Sequence, residues 1–268
     1  MNPAERPIAL VTGASAGLGR EFARQLAGLG YDLVLVARDA GRLEELGAEL
    51  RELSGAESEI LAADLTRDED VSRVVERIDQ GHIHLLVNNA GFGVRGSIVR
   101  TSREDQDAMV RVHVLAANRL AQAAVQTMVS QERGVVINVS SIASYLTSPG
   151  SVNYTSTKAW QRVFTESLAH ELHGKGVYVQ ALCPGYTHTE FHARGGIDKD
   201  RVPHWWWMNA EDVVASSLRA VRRRRPVVVV PGFGYKLAVL ALRFLPRWCW
   251  NIVIRRARGR RGSGGKSQ

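Results

Sequence analysis

A tyrosine and a lysine stand four residues apart in the stretch NYTSTKAW, residues 153–160. On a helix, side chains at i and i+4 lie on one face, so the phenol of Tyr154 and the ammonium of Lys158 would reach the same space. A neighbouring ammonium favours the phenolate, which makes such a phenol a usable proton donor and acceptor. The spacing indicates acid–base chemistry, with a solvated helix face as the alternative.

A second chemical signal is the glycine-rich stretch TGASAGLGR, residues 12–20. Gly13, Gly17 and Gly19 would let the backbone turn tightly and approach a pyrophosphate at the start of the next helix. A glycine cluster alone is a weak signal. This one lies between a predicted strand and a predicted helix, which is the context that a dinucleotide site requires.

The end of the second predicted strand, VLVARD, bears on which dinucleotide would bind. An NAD site usually places a carboxylate here for the ribose 2′-hydroxyl, whereas an arginine can accept a 2′-phosphate. Arg38 occupies this place and Asp39 follows one position later, so the sequence favours NADP(H) over NAD(H). The alternative is that Arg38 is a solvated surface charge. Asp64 and Leu65, after the third predicted strand, are expected beside the adenine.

Short apolar runs alternate with longer amphipathic segments between residues 8 and 230. Runs such as IALVTG, DLVLVAR and GVVINVSS are typical of buried strands, and segments such as GREFARQLAGLG are typical of helices. The alternation predicts an α/β fold with a Rossmann-like, doubly wound parallel sheet and helices on both faces.

The composition suits one sizeable globular domain in a chain of 268 residues. Cys183 and Cys249 lie far apart and follow no metal or disulfide spacing, which favours a reducing, cytoplasmic location. The first residues lack the pattern of a signal peptide. The formal net charge is +8, of which +6 comes from residues 255–268. The rest of the chain is close to balanced, so no nucleic-acid partner is predicted.

Five motifs in a consistent order resemble the short-chain dehydrogenase/reductase superfamily. They are TGASAGLG, NNAG at 88–91, NVSS ending at Ser141, the Tyr154 and Lys158 pair, and the dipeptide Pro184-Gly185. The resemblance covers residues 6 to 230, and five spaced motifs together are specific. It favours acid–base chemistry over a solvated helix face for the Tyr154 and Lys158 pair.

The resemblance implies a role for each matching residue. Tyr154 would protonate the carbonyl oxygen of a substrate while hydride reaches its carbon. Lys158 would stabilise the phenolate and bind the nicotinamide ribose, and Ser141 would hold the same oxygen, with Ser140 pointing elsewhere. The implied cofactor-binding set is Gly13, Ser15, Gly17, Leu18, Gly19, Arg38, Asp64, Leu65, Asn89, Ala90, Gly91, Tyr154, Lys158, Pro184, Gly185, Thr187 and Thr189, with the two threonines on the nicotinamide carboxamide.

One position departs from the family pattern. Relatives usually carry VNV in the long fourth helix, where the asparagine helps a water chain that feeds protons to the lysine. This chain has VHV at 112–114. Our hypothesis is that His113 is catalytic and takes over the relay, because an imidazole both donates and accepts. The alternative is a buried neutral histidine.

The predicted organisation is a catalytic domain at 1–230 with a substrate loop at about 186–209, an apolar and basic extension at 231–256, and a disordered basic tail at 257–268. HTEFH at 188–192 lacks a third ligand, so no metal is predicted. HWWW at 204–207 suggests an apolar lid, with at least one indole packed into the fold.

The extension is too interrupted by charges to span a membrane. We expect it to cover the cleft or a second subunit, with peripheral membrane contact through 236–261 as the alternative. Lid and extension suggest an apolar, long-chain acyl or isoprenoid carbonyl substrate. The predicted function is therefore an NADP(H)-dependent oxidoreductase that interconverts a carbonyl and a secondary alcohol. The alternative is an NADP(H) sensor without turnover. The resemblance also implies a homodimer or homotetramer through 102–130 and 152–174.

Overall fold

The computed structural model describes residues 6–94, 96–189 and 203–244. Within these ranges, seven parallel strands form one sheet in the order β3-β2-β1-β4-β5-β6-β7. The order reverses between β1 and β4, which places the ligand crevice of such a sheet at the carboxyl ends of these two strands. The strands are β1 Ile8–Thr12, β2 Asp32–Ala37, β3 Ser58–Ala62, β4 Ile83–Asn88, β5 Gly134–Val139, β6 Val177–Leu182 and β7 Val228–Val229.

Helices cover both faces of the sheet. They are α1 Gly17–Gly28, α2 Ala40–Ser54, α3 Asp68–Asp79, α4 Arg103–Val110, α5 Ala117–Ser130, α6 Val152–Glu171, α7 Ala210–Arg223 and α8 Phe233–Phe244. A π-helical turn at Arg111–Ala116 joins α4 to α5, and 3-10 turns span Ile142–Tyr145 and His204–Trp206.

The core consists of two apolar layers, one on each face of the sheet. Successive strand residues point to opposite faces, so Val11 joins the layer under α1, α2 and α7, while Leu10 joins the layer under α3 and α5. Both side chains are fully buried. The predicted doubly wound α/β fold is confirmed.

Helix α8 is the part of the predicted C-terminal extension that the structure describes. It packs against the 3-10 turn at Ile142–Tyr145 and buries Tyr235 and Val239. The segments 190–202 and 245–268 lie outside the described residues, and so do most of the predicted substrate loop, the tail and Cys249. No helix among the described residues is long and apolar enough to cross a membrane.

Candidate active site

A cavity of about 550 Å³ opens at the carboxyl ends of the strands, around the point where the strand order reverses. Its walls come from the segments that follow β1 to β6. Nearly every residue predicted to bind a cofactor or to catalyse lines it. They are Gly13, Ser15, Gly17, Leu18, Arg38, Asp64, Leu65, Asn89, Ala90, Gly91, Ser141, Tyr154, Lys158, Pro184, Gly185, Thr187 and Thr189. Two predicted residues, Gly19 and His113, lie behind the walls instead.

Close backbone packing explains the glycines of the loop after β1. Gly13 and Gly17 have φ of +66° and +56°, a region that residues with a side chain rarely adopt. Gly19 is buried, and a Cβ there would lie 2.1 Å from the Gly13 carbonyl oxygen. The third glycine of the motif therefore permits contact between the helix and the loop.

The start of α1 suits an anion. The residue before the helix is Ala16, whose methyl group cannot cap the first amides, and the first turn holds no acidic residue. Gly17 and Leu18 of that turn line the cavity, so the free amides and the positive end of the helix dipole lie at its wall. The loop thus fits the pyrophosphate of a dinucleotide.

Thr12 joins the glycine loop to the NNAG segment, a role that the sequence did not reveal. Its Oγ1 donates to the Val87 carbonyl at 3.2 Å and accepts from the amides of Asn89 and Ala90, both at 3.0 Å. The Asn89 side chain returns a bond to the Thr12 carbonyl at 2.9 Å. These bonds fix the loops after β1 and β4 against each other.

Arg38 and Arg42 stand at the edge of the cavity that follows β2. Asp39 begins α2, where its carboxylate accepts from the Arg42 amide at 3.1 Å and lies 3.8 Å from the Arg42 guanidinium. The sequence analysis did not identify Arg42, because Arg38 lies before the first residue of α2 and the two arginines do not share a helix face. Two cations and one acid leave this edge net positive.

Asp64 shapes the turn after β3 with its carboxylate. The Oδ1 atom accepts from the amide of Thr66 at 3.0 Å and from its hydroxyl at 2.9 Å. The turn presents Leu65 to the cavity. This is the wall on which the sequence placed an adenine.

Lys158 is buried where α6 passes the end of β5. Its Nζ donates to the Val139 carbonyl at 2.7 Å and to Gln161 Oε1 at 2.9 Å. Burial lowers the pKa of Lys158 from its ordinary value to about 7. The hydroxyl of Ser140 donates to the Lys158 carbonyl at 2.7 Å. Ser140 is therefore engaged with the backbone of α6 and does not share the role expected of Ser141.

Ser141 and Tyr154 line the same wall as Lys158. The Ser141 hydroxyl accepts from the Ala143 amide at 3.1 Å and lies 3.5 Å from the Pro184 carbonyl oxygen. The two predicted proton donors and the lysine thus line one cavity, and their catalytic roles stay predictions.

His113 lies in the π-helical turn, fully buried behind Tyr154. Its Nε2 accepts from the Phe92 amide at 3.1 Å, which leaves the ring proton on Nδ1, 2.9 Å from Thr157 Oγ1. Burial and the nearby Lys158 charge hold the pKa of His113 well below its usual range. The imidazole is therefore neutral, and its ring stands edge-on to that of Tyr154, with centroids 6.0 Å apart.

The segment after β6 carries Thr187 and Thr189 along the cavity. Thr187 pairs with Met208, and the ring of His188 stacks on Trp207 at 4.9 Å. Trp206 packs against the fold, whereas Trp205 is 73% exposed. Glu190 and His192 lie outside the described residues, and among those described no three potential metal ligands lie together.

The fold and the cavity define a dinucleotide-binding α/β protein with a serine, a tyrosine and a lysine on one wall. The chain belongs to the short-chain dehydrogenase family, because the family model of that description matches residues 7–199. It is 32% identical to gluconate 5-dehydrogenase from Gluconobacter oxydans over 219 residues, which cover 78% of this chain and 85% of that enzyme.

Two solved structures are similar over almost the whole chain. A short-chain dehydrogenase from Sphingobium yanoikuyae in complex with NADPH has a TM-score of 0.80 and 33% identity, covering 98% of both chains. A bulky-bulky ketone specific alcohol dehydrogenase from Comamonas testosteroni has a TM-score of 0.77 and 28% identity, covering 98% of this chain and 96% of that one. The protein is thus an oxidoreductase that interconverts carbonyl and alcohol groups of small molecules with a pyridine nucleotide.

The environment of His113 generates a testable prediction. In His113→Asn, the pH dependence of kcat/KM for reduction of a test ketone such as benzil should keep its shape, because a neutral imidazole does not titrate near neutrality. The rate should fall by about tenfold or less, provided that the shorter asparagine keeps one of the two buried hydrogen bonds of the imidazole and loses the other. His170→Asn, at the exposed end of α6, is the control. Loss of a titrating limb in His113→Asn alone would support the relay instead.

Proposed function

We propose that the protein reduces apolar carbonyl compounds to secondary alcohols with NADPH, using Ser141, Tyr154 and Lys158. The observation that carries the proposal is that all three line the same cavity as the glycine loop and Arg38. A sensor without turnover would not need a phenol and a buried lysine at the same place. The intact set therefore favours an enzyme.

The chemistry follows from the groups on that wall. When bound, the nicotinamide would supply the hydride to the substrate carbon. Tyr154 would donate its phenolic proton to the carbonyl oxygen, which balances the added hydride and yields the secondary alcohol. The Ser141 hydroxyl would donate a hydrogen bond to the same oxygen and keep it directed at Tyr154.

Lys158 would act through its charge and its remaining hydrogen bond. Val139 and Gln161 take two of the three donors of an ammonium, so one donor remains for the cavity. That donor could bind the nicotinamide ribose, and the charge would stabilise the phenolate that Tyr154 leaves behind. With a pKa of about 7, Lys158 gives up its charge as the pH rises through neutrality.

We propose a positioning role for His113. Its Nδ1 donor reaches Thr157, whose hydroxyl donates to the Tyr154 carbonyl at 3.1 Å. Its Nε2 holds the Phe92 amide, and Phe92 lines the cavity. These bonds support an imidazole that holds the backbone of Tyr154 and Phe92 together. The proton relay suggested by the sequence stays a prediction.

The net positive edge formed by Arg38, Asp39 and Arg42 supports NADP(H) as the cofactor. An arginine fork matches the geometry of a 2′-phosphate and binds it with charge-assisted hydrogen bonds. The remaining cofactor-binding residues proposed from the sequence line the same cavity, with Gly19 beneath the loop.

Arg38→Ala tests the choice of cofactor. It should weaken NADPH binding by about 10- to 100-fold, the loss expected for charge-assisted hydrogen bonds to a phosphate, and leave NADH binding unchanged. Titration of both nucleotides measures this, with Arg67→Ala, an exposed arginine at the start of α3, as the matched control. Equal affinities for NADPH and NADH in the wild type would contradict the 2′-phosphate assignment.

Tyr154→Phe separates an enzyme from a sensor. The variant should still bind NADPH, within about tenfold of the wild-type affinity because at most one hydroxyl contact is lost. It should reduce the test ketone about a thousandfold more slowly, because the proton donor is lost. Stopped assays of alcohol formation measure the rate, and Tyr145→Phe, in the neighbouring 3-10 turn, is the control. Unchanged turnover in Tyr154→Phe would contradict the proposed mechanism.

The preference for an apolar substrate rests on aromatic residues that are neighbours in sequence or space of Gly185, Thr187 and Thr189, which line the cavity. Trp205 is exposed, and Tyr186, Trp206 and Trp207 form ring contacts near both ends of the predicted substrate loop. One solved relative carries a name that specifies bulky ketones. Equal turnover of short polar ketones and bulky or long-chain ones would contradict this preference.

The outer face of α8 is apolar and exposed, which suggests that the predicted extension binds a partner. Phe233, Leu237, Leu240 and Phe244 are each at least 50% exposed and follow one another at helical spacing. We propose that this face contacts a second copy of the chain, with an anionic membrane as the alternative.

Leu237→Glu, which places a charge on this face, should shift the sedimentation coefficient toward that of the monomer. If it instead abolished sedimentation with anionic vesicles, the membrane contact would be supported. The predicted cytoplasmic location and domain boundaries stay predictions.

A further inference from the structure

Tyr235, in the first turn of α8, is buried between the two ends of the segment that links β6 to α7. It lies outside residues 7–199, the part of the chain that matches the family model. Its hydroxyl accepts from the Tyr186 amide at 3.0 Å and donates to the Trp206 carbonyl at 2.6 Å. One phenol thus connects a residue near the start of this segment with a residue near its end.

The ring of Tyr235 fixes the same two places by packing. It stands edge-on to the indole of Trp206, with centroids 4.7 Å apart. It also covers Gly185, where a Cβ would lie 2.1 Å from the phenol carbon that bears the hydroxyl. No side chain larger than that of glycine fits at 185 beneath this ring.

Backbone pairing extends the connection toward the cavity. The Met208 amide donates to the Tyr186 carbonyl, and the His188 amide donates to the Met208 carbonyl, both at 2.9 Å. Thr187 lies between these bonds, and a Cβ on Gly17 would lie 3.2 Å from the Cβ of Thr189. The segment 186–189 is therefore packed against the glycine-rich turn through Thr189.

We propose that Tyr235 is a positioning residue that holds the segment 186–189 against the dinucleotide cavity before the cofactor binds. The inference rests on the proposed function, in which Thr187 and Thr189 contact the nicotinamide half. A segment ordered in advance binds more tightly, because less conformational entropy is lost on binding. Only a tyrosine supplies a large ring together with one donor and one acceptor at its tip.

The hydroxyl keeps its donor at any working pH. Burial raises the pKa of Tyr235 to about 12, so the phenol remains protonated and its bond to the Trp206 carbonyl persists. The holding contact is therefore independent of pH around neutrality.

Tyr235→Phe tests the inference, because it keeps the ring and removes the partner of two backbone groups. NADPH should bind about tenfold more weakly, the loss expected for one buried hydrogen-bonded group. Adenosine 2′,5′-bisphosphate, which lacks the nicotinamide half, should bind with unchanged affinity. A loss confined to the whole dinucleotide is a result that general destabilisation would not produce.

Tyr178→Phe is the matched control. Tyr178 is buried on β6, and its hydroxyl also makes one bond as donor, to the Pro226 carbonyl at 2.7 Å, and one as acceptor, from Gln180 Nε2 at 3.2 Å. It does not line the cavity. We expect the melting temperature of Tyr178→Phe to fall by as much as that of Tyr235→Phe, while its affinity for NADPH stays at the wild-type value.

Three results would overturn the inference: unchanged NADPH affinity in Tyr235→Phe, equal losses for NADPH and the bisphosphate, or an equal loss in Tyr178→Phe. If the wild type bound no NADPH at all, the proposed function would fail instead. Should Tyr235→Phe not fold, hydrogen exchange of the Tyr186 amide in the wild type decides. Slow exchange is expected, and exchange at the rate of an open loop would contradict the hydrogen bond to Tyr235.

Discussion

The burial of Lys158, where α6 passes the end of β5, is the constraint on which the rest of the site depends. Taking an ammonium out of water costs several kcal/mol unless hydrogen bonds replace those to water. The Val139 carbonyl and Gln161 provide two of them. The Ser140 hydroxyl holds the Lys158 carbonyl, which joins the strand end to α6 from the other side. Tyr154 occupies the preceding turn of that helix, so the anchoring of the lysine also positions the phenol.

A second constraint is the close packing behind the cavity. Gly19 lets α1 touch the carbonyl of Gly13, and a Cβ on Gly91 would lie 2.6 Å from the imidazole of His113. The π-helical turn brings that imidazole to Phe92 and Thr157. Gly19 and His113 do not line the cavity themselves, yet their packing positions the residues that do, since close-packed interiors transmit displacements.

Local patterns in the sequence were sufficient for much of this structure. Alternating apolar runs predicted the parallel sheet, and the glycine loop and the Tyr154 and Lys158 spacing predicted residues that do line one cavity. These features depend on short-range geometry, which a sequence displays directly.

The features that the sequence did not reveal depend on contacts between distant segments. Thr12 meets the NNAG loop, 77 residues away, and Tyr235 meets Tyr186, 49 residues away. The place of Arg42 at the cavity could be predicted only once the first residue of α2 was known. The neutral state of His113 follows from its burial and from the charge of Lys158 rather than from its place in the VHV motif. Spacing in the chain shows none of these, because the fold alone brings such partners together.

The pKa of Lys158 in the ligand-free protein is the most direct test of this account. The chain holds five lysines, so NMR of selectively labelled lysine side chains can follow each amine through a pH titration. One signal should titrate near 7 and be absent from Lys158→Arg. The fall in kcat/KM for ketone reduction should follow the same midpoint as pH rises. Five lysines that all titrate near the ordinary value would contradict a buried lysine at the centre of the site.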